Sequence, residues 1–323
     1  AILGTLSGAN NKLLLCGNPT RTSGTFYDSH TRDRALYKCH TVSSADSSRT
    51  NKENIDSLIR KYGWDSNVVR VRVRGEFPNQ EDDVFIPLSL IEQCSSKLLE
   101  LDDADGMQFV SLGVDVARFG DDETIIYRNY HGHCKIVRNR RGQNLMATVG
   151  DIVQEFKKIY REHPTYESKV YVQIDDTGLG GGVTDRLKEV RKEQKLYKMQ
   201  VIPINAAEKI ETDTAAGKDA AERYNNLTTA MWASMRDLLD NKQIVIEDDE
   251  QTIGQLSSRK YTMASNGKLE IEPKKEMKKR GLDSPDRADA LALALYLGKI
   301  KKHTGSAPSV GAMKKLSKDN YWG

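Results

Sequence analysis

The sequence predicts an α/β fold over roughly the last two thirds of the chain, and three stretches carry this prediction. Residues 110–127 read as two short apolar strands joined by a tight turn, a pattern typical of a hairpin. Residues 170–182 read as a buried strand that passes through a glycine-rich turn into a helix. Residues 284–297 read as a strongly apolar helix, with Ser284 as N-cap and Pro285 in the first helical position.

Hydrophobic periodicity places the remaining elements of this part. Residues 148–160 carry apolar side chains at helical spacing, and residues 220–239 predict a long helix with an apolar stripe that faces a core. The apolar stripe of the helix predicted over residues 220–239 consists of Trp232, Met235 and Leu239. The pair Asn266-Gly267 predicts a hairpin over residues 260–271. Further strands are expected at residues 134–138, 199–204 and 243–246, and a further helix at residues 183–191.

The same three stretches carry acidic residues in unusual places. Asp115 lies in an apolar strand, where burying a carboxylate is costly unless a cation or partner compensates it. Asp175 and Asp176 follow the second strand, and Asp286 and Asp289 share one face of the last helix. Because Mg²⁺ and Mn²⁺ prefer carboxylate oxygens completed by water and phosphate, the three stretches together indicate a divalent-metal site. For Asp115 taken alone, an ion pair with Arg118 explains the acid equally well.

These motifs resemble the nuclease domain of the large terminase subunit of tailed bacteriophages. The strings that carry the resemblance are GVDVARFGDD, IDDTGLGGG and SPDRADALALA, and it extends over residues 109–299. It implies an RNase H-like fold, with a mixed central sheet flanked by helices. The implied catalytic and metal-binding acids are Asp115, Asp175 and Asp289. Asp286 matches a position where relatives carry an acid or a histidine, and only the alignment of the glycines favours Asp175 over Asp176.

The activity that this resemblance implies is two-metal hydrolysis of concatemeric double-stranded DNA, with one or two Mg²⁺ or Mn²⁺ ions. The implied partners are double-stranded DNA, the portal protein, the small terminase subunit and further copies of the chain on the portal. The implied setting is the host cytoplasm during virus assembly. Two alternatives remain: another RNase H-like nuclease such as a resolvase or transposase, and a non-catalytic DNA-binding part of a packaging motor with structural acids. Cation-dependent cleavage separates the last reading from the others.

Residues 1–85 resemble the C-terminal part of a terminase ATPase (motor) domain. The Gly-Asn-Pro step at residues 17–19 resembles the segment after the third ATPase motif, which would make Asn18 a sensor of the γ-phosphate. A plain turn after a strand is the common alternative. The pattern GxxxxGK[ST] does not occur in the sequence, so the nucleotide-binding core is expected upstream and ATP is expected to serve only a full-length motor. Strands are expected at residues 12–16, 37–42 and 67–74.

The resemblance also divides the rest of the chain. Residues 86–108 are interpreted as a linker, residues 109–302 as the nuclease domain and residues 303–323 as a flexible tail. A basic run precedes the acid-bearing helix and is predicted to contact the DNA backbone, the alternative being a solvated face. The run consists of Lys274, Lys275, Lys278, Lys279 and Arg280.

Composition agrees with a soluble protein. The chain has 323 residues, of which 38% are hydrophobic and 29% charged, and its net charge is +3. Its longest apolar run is too short to cross a bilayer, so no membrane partner is expected. The cysteines are scattered without metal-ligand spacing, which favours free thiols.

Overall fold

The computed structural model describes residues 10–20, 24–78, 84–95, 101, 107, 109–117, 122–206, 208–212, 215–296 and 298. The chain divides into two compact units, Ala1–Asp82 and Asp83–Gly323. The tail expected at residues 303–323 and the residue Arg118 lie outside the described residues. The four-part division expected from the sequence stays a prediction.

The first unit consists of short helices. These are α1 (Thr25–His30), two 3₁₀ turns (Arg34–Leu36 and Ser44–Asp46), α2 (Lys52–Tyr62) and α3 (Asn67–Val69), which continues as a π-helical turn over Arg70–Arg74. The strands predicted at residues 12–16 and 37–42 are wrong, because no strand forms in the described part of this unit. A strand needs a hydrogen-bonded partner, and residues 10–20 and 24–78 supply none.

The strand predicted at residues 67–74 is also wrong, and local capping explains why. The segment alternates valine and arginine, which favours a strand, yet it is helical. The Ser66 hydroxyl accepts a hydrogen bond from the Val69 N–H at 3.3 Å, which caps the first turn. Gly75, at φ 67°, ends the segment in the left-handed conformation. These two capping residues therefore outweigh the alternation.

The second unit contains a mixed six-stranded sheet in the order β5-β4-β1-β2-β3-β6. Strand β1 is parallel to β4, which is parallel to β5, whereas β2 is antiparallel to both β1 and β3. The strands are β1 (Val110–Asp115), β2 (Thr124–Tyr130), β3 (His133–Arg140), β4 (Val170–Asp175), β5 (Met199–Ile204) and β6 (Val245–Ile246). A separate hairpin, β7 (Tyr261–Met263) and β8 (Leu269–Ile271), confirms the Asn-Gly prediction.

Helices cover both faces of the sheet. On one face, α5 and α6 pack against the alternate apolar residues of β1 and β4 in a continuous core. On the other face lies α11, approached by α8 and α9. The helices are α4 (Leu88–Gln93), α5 (Leu145–Glu162), α6 (Gly180–Glu193), α7 (Ala215–Arg223), α8 (Leu227–Asp240), α9 (Glu250–Ser258), α10 (Lys274–Lys279) and α11 (Asp286–Leu295). No helix among the described residues is long and apolar enough to span a bilayer.

The long helix predicted over residues 220–239 is divided into α7 and α8. Asn226 lies between them, and its side chain accepts a hydrogen bond from the Thr229 N–H at 2.9 Å. A capping asparagine can begin a new helix while the apolar residues keep the spacing of one continuous helix. Periodicity alone therefore does not reveal the break.

Close contact between α11 and the sheet depends on Gly113 in β1. A Cβ at this position would lie 2.1 Å from the carbonyl oxygen of Ala290. Nearby, the Ser111 hydroxyl donates to the carbonyl of Ala294 at 2.5 Å, and Gln173 Nε2 donates to that of Leu293 at 2.6 Å. Small and hydrogen-bonding residues on this face therefore bring the acid-bearing helix against the acid-bearing strands.

Residues 84–95, which span the end of the segment interpreted as motor (1–85) and the start of the segment interpreted as a linker (86–108), pack within the second unit. Val84 forms a β-bridge with Lys260, and the Phe85 N–H donates to the carbonyl of Arg259 at 2.9 Å. Ser95 forms a bridge with Ile246 at the edge of the sheet.

Candidate metal centre

Two acids end neighbouring parallel strands of the sheet. Val114 of β1 is in register with Ile174 of β4, so Asp115 and Asp175 follow at the ends of adjacent strands, and such strands are spaced about 4.8 Å apart. Side chains alternate along a strand, and Ser111 and Gln173 of these strands contact α11. Asp115 and Asp175, an even number of residues further on, therefore lie on the same face as α11.

The same alternation separates Asp175 from Asp176. The Asp176 N–H continues the ladder by donating to the carbonyl of Ile204 at 2.9 Å, so its side chain falls on the opposite face. A Cβ on Gly181, in α6, would lie 3.9 Å from Asp176 Oδ1, which confirms that this acid faces α6. Asp175 Oδ1 instead accepts a hydrogen bond from the Thr177 N–H at 2.9 Å.

The first turn of α11 supplies two further carboxylates. Asp286 Oδ2 accepts a hydrogen bond from the Glu123 N–H at 2.8 Å. Asp289 Oδ1 accepts from Trp232 Nε1 at 2.8 Å and from a guanidinium nitrogen of Arg259 at 2.9 Å. Each acid of this helix therefore has one oxygen tied by the surrounding structure.

The other oxygens converge on a single ammonium group. Lys274 Nζ lies 2.9 Å from Asp289 Oδ2, 3.5 Å from Asp115 Oδ2 and 3.8 Å from Asp286 Oδ1. The three carboxyl groups are at most 14% exposed. The structure thus brings acids from β1 and α11 around one cation position, with Asp175 on the neighbouring strand end.

Burial and charge move the pKa values of these acids in different directions. Burial raises the pKa of Asp115 to about 8; the Lys274 ammonium opposes the shift, and the Asp286 carboxylate reinforces it. Burial also raises the pKa of Asp286. For Asp289, burial favours the neutral acid, but Lys274 and Arg259 outweigh it and lower its pKa.

These shifts affect stability when no metal is bound. Because the folded pKa of Asp115 is raised, the folded chain holds this proton more tightly than the unfolded chain does. The resulting contribution to stability is complete below the unfolded value of about 4, and it is lost as the pH rises through about 8.

The donor set fits a hard divalent cation. All the converging atoms are carboxylate oxygens, the ligands that Mg²⁺ and Mn²⁺ prefer, and the ammonium shows that they can surround a positive charge. Among the described residues, however, no three acid, histidine or cysteine side chains form a ready cation cage. Lys274 lies between the carboxylates, so a cation at this position requires its ammonium to move out.

Comparison with known proteins shows what the chain and its fold are similar to. No protein-family model matches the chain. A probable terminase large subunit of Enterobacteria phage P7 is 25% identical over 312 residues, which cover 91% of this chain and 59% of that protein. The nuclease domain of the large terminase subunit of bacterial virus Sf6 matches the structure with a TM-score of 0.51 and 17% identity, covering 66% of this chain and 98% of that domain. The resemblance to large terminase subunits is confirmed.

The fold is that of a terminase nuclease domain, as the sequence predicted. A mutant form of the Sf6 nuclease domain, solved with calcium, gives a TM-score of 0.53 at 17% identity and covers the same share of both chains. Another, with manganese and β-thujaplicinol, gives 0.51 at 18% identity. The present chain spans little more than half of its curated terminase relative.

The basic run of the present chain, residues 274–280, is largely paired with acids. Lys274 lies among the carboxylates described above. Lys278 Nζ lies 3.4 Å from Asp122, Lys279 Nζ lies 2.7 Å from Glu276, and a guanidinium nitrogen of Arg280 lies 2.7 Å from Glu272. Lys275 is exposed. The role predicted for this run in DNA binding stays a prediction.

Asn18, the expected nucleotide sensor, is exposed in the first unit. Its carbonyl accepts a hydrogen bond from the Thr20 N–H at 2.9 Å. The described contacts of Asn18 indicate only a local turn, and its sensing role stays a prediction.

Sequence reasoning missed three residues that contact the acids. Trp232 was expected to be core, and it is fully buried, but its indole N–H also holds Asp289. Arg259 and the main chain of Glu123 were not singled out. No motif marks them, because their contacts depend on tertiary packing. The one sequence signal for these contacts is Trp232 itself, because a buried indole N–H needs a hydrogen-bond acceptor.

Proposed function

We propose that the second unit is a divalent-metal-dependent endonuclease that cuts concatemeric double-stranded DNA in a viral packaging terminase. The observation that carries this proposal is the convergence of Asp115, Asp286 and Asp289 on one cation position, beside Asp175. The terminase nuclease fold supports it. The present chain is proposed to supply the cutting centre, and a motor that includes a nucleotide-binding core is proposed to supply the ATP-driven movement.

The four acids would hold one or two Mg²⁺ or Mn²⁺ ions. Such ions supply a water nucleophile at neutral pH and stabilise the charge of the leaving oxygen. Asp289 is already a carboxylate before a cation binds, because Lys274 and Arg259 lower its pKa. Asp115 must first lose a proton. Lys274, once displaced from the acids, would remain close enough to neutralise a phosphate of the bound DNA.

The proposed partners follow from the similarity to large terminase subunits. Double-stranded DNA is the substrate, and the portal protein, the small terminase subunit and further copies of the chain are the proposed assembly partners, in the host cytoplasm. ATP turnover is expected only from a chain that also contains a phosphate-binding loop, which an ATPase assay of the present chain tests.

A second reading has one observation in its favour. Lys274 and Arg259 already pair with the acids, so the cluster could be a structural ion-pair network in a non-catalytic DNA-binding module. Cleavage of supercoiled plasmid by the purified chain in Mg²⁺ or Mn²⁺, and its loss in EDTA, decides between the two. A resolvase or transposase would instead require branched DNA or a transposon end.

Cation affinity is expected to rise with pH up to about 8, because a cation binds the deprotonated form of Asp115. Below this pH, each decrease of one pH unit should weaken Mn²⁺ binding about tenfold. Titrations with Mn²⁺ between about pH 6 and pH 9 measure the effect, and Asp115→Asn should flatten the dependence. A parent affinity that is constant from about pH 6 to pH 8 would contradict the assignment of Asp115.

Changing Lys278, Lys279 and Arg280 together to Ala is expected to weaken DNA binding equally for all sequences. Phosphate contacts carry no sequence information, and each one lost should reduce the salt dependence by about one unit of slope. Filter binding of several duplexes over a salt series measures both effects. Glu276→Gln is a matched control because it removes only the partner of Lys279. Binding and salt slope equal to those of the parent would identify this run as a solvated face.

A further inference from the structure

Asp289 is held by two side-chain donors that come from outside its own helix. Its Oδ1 atom receives two hydrogen bonds, from Trp232 Nε1 at 2.8 Å and from Arg259 at 2.9 Å. Only Oδ2 is left for the cation position, where it lies 2.9 Å from Lys274 Nζ. Both donors come from outside α11, so they fix the carboxylate independently of its own helix.

The two donors are themselves fixed by packing. The Arg259 guanidinium lies over the Trp232 ring at 4.6 Å, and Arg259 Nε donates to the carbonyl of Glu272 at 2.9 Å. The Phe85 N–H donates to the Arg259 carbonyl at 2.9 Å, and the Phe85 ring packs edge-on against Trp232 at 6.5 Å. Trp232 is fully buried and Arg259 is 3% exposed. Neither side chain can change rotamer without disturbing this cluster.

We propose that Trp232 and Arg259 are positioning residues of the metal centre: they lock Asp289 so that Oδ2 alone binds the cation. This proposal rests on the proposed metal-dependent function. A free carboxylate can rotate and bind a cation through both oxygens, whereas one tied through Oδ1 has a single orientation. The main-chain N–H of Glu123 donates to Asp286 Oδ2 at 2.8 Å, and Asp286 Oδ1 lies 3.8 Å from Lys274 Nζ. Preset ligands bind a metal without first losing rotational freedom.

Two conservative variants test the proposal. Trp232→Phe keeps an aromatic ring but removes the N–H donor. Arg259→Lys keeps the positive charge but loses the planar guanidinium group. Leu239→Ala is the matched control, because Leu239 is a fully buried residue of the same helix, α8, with no described contact to the acids. For each protein, the dissociation constant for Mn²⁺ is measured by electron paramagnetic resonance, together with the melting temperature and plasmid cleavage.

Each positioning variant is expected to weaken Mn²⁺ binding by about 10- to 100-fold, as loss of a group that orients a ligand typically does. Saturating Mn²⁺ should restore part of the cleavage. Leu239→Ala should lower the melting temperature while leaving the Mn²⁺ affinity unchanged. This difference distinguishes positioning from a merely structural role.

The outcomes separate this proposal from the proposed function. If the parent binds Mn²⁺ and cuts DNA, and both variants bind Mn²⁺ as tightly as Leu239→Ala, the positioning proposal is wrong and the nuclease assignment stands. If the parent neither binds Mn²⁺ nor cuts DNA, both are wrong. If Trp232→Phe does not fold, Arg259→Lys decides alone.

Discussion

Single changes of Asp115, Asp175 or Asp289 to Asn are expected to abolish metal-dependent cleavage of plasmid DNA. Asparagine keeps the shape of the side chain but removes the charge that a divalent cation requires. The loss should exceed the roughly 10- to 100-fold typical of residues that only support a ligand. Gel assays in Mg²⁺ and in Mn²⁺ measure it, with circular dichroism to show that each variant folds.

The adjacent acid Asp176 provides a matched control for this experiment. It follows Asp175 directly, but strand alternation places its side chain on the α6 face. Asp176→Asn should therefore cut DNA as the parent does. Cleavage retained in any two of the three Asn variants would refute the assignment, and loss in Asp176→Asn with retention in Asp175→Asn would exchange the two roles.

Removing the lysine that lies among the acids should have the second large effect. In the metal-free protein near neutral pH, burial raises the pKa of Asp115 to about 8 and keeps it protonated, so Lys274→Ala mainly leaves the Asp289 carboxylate with Arg259 as its remaining cationic partner. Leaving buried charges unpaired costs about 3–5 kcal/mol, and the cost here should be smaller because the Lys274 side chain is 40% exposed. The free energy of unfolding in EDTA should therefore fall by about 1–3 kcal/mol.

A divalent cation should reverse this loss, because it takes the place of the ammonium. We expect Mn²⁺ to raise the melting temperature of Lys274→Ala more than that of the parent. Lys275→Ala is the control: this neighbouring lysine is exposed, and its removal should change neither value. If Mn²⁺ stabilises parent and Lys274→Ala equally, the ammonium and the cation do not share a position.

Local patterns predicted the strands and their acids, whereas the mixed sheet that joins these strands was expected from the resemblance to terminase nuclease domains. Apolar runs ended by acids predicted β1 and β4, and these strands lie side by side with their acids at the same edge. The choice between Asp175 and Asp176, by contrast, depends on which residues of β4 face α11, and that requires the register of two strands. Gln173 reveals it in the structure through its hydrogen bond to α11.

Other features could not be predicted because they depend on contacts distant in sequence. Lys274 was expected to contact DNA as part of a basic run, whereas the structure places its Nζ 2.9 Å from Asp289 Oδ2. The helix at residues 67–74 was missed because the Val-Arg alternation masks the capping residues on either side. Charge runs and alternation specify which side chains are present, whereas tertiary packing decides what they meet.

The most direct test of the metal centre is to locate bound Mn²⁺ by anomalous diffraction from crystals of the chain soaked in MnCl₂. We expect a peak within about 2.0–2.3 Å of carboxylate oxygens of Asp115 and Asp289, with the Lys274 ammonium displaced from its present position. A peak elsewhere on the molecule, with Lys274 still bound to the three acids at saturating Mn²⁺, would contradict this expectation.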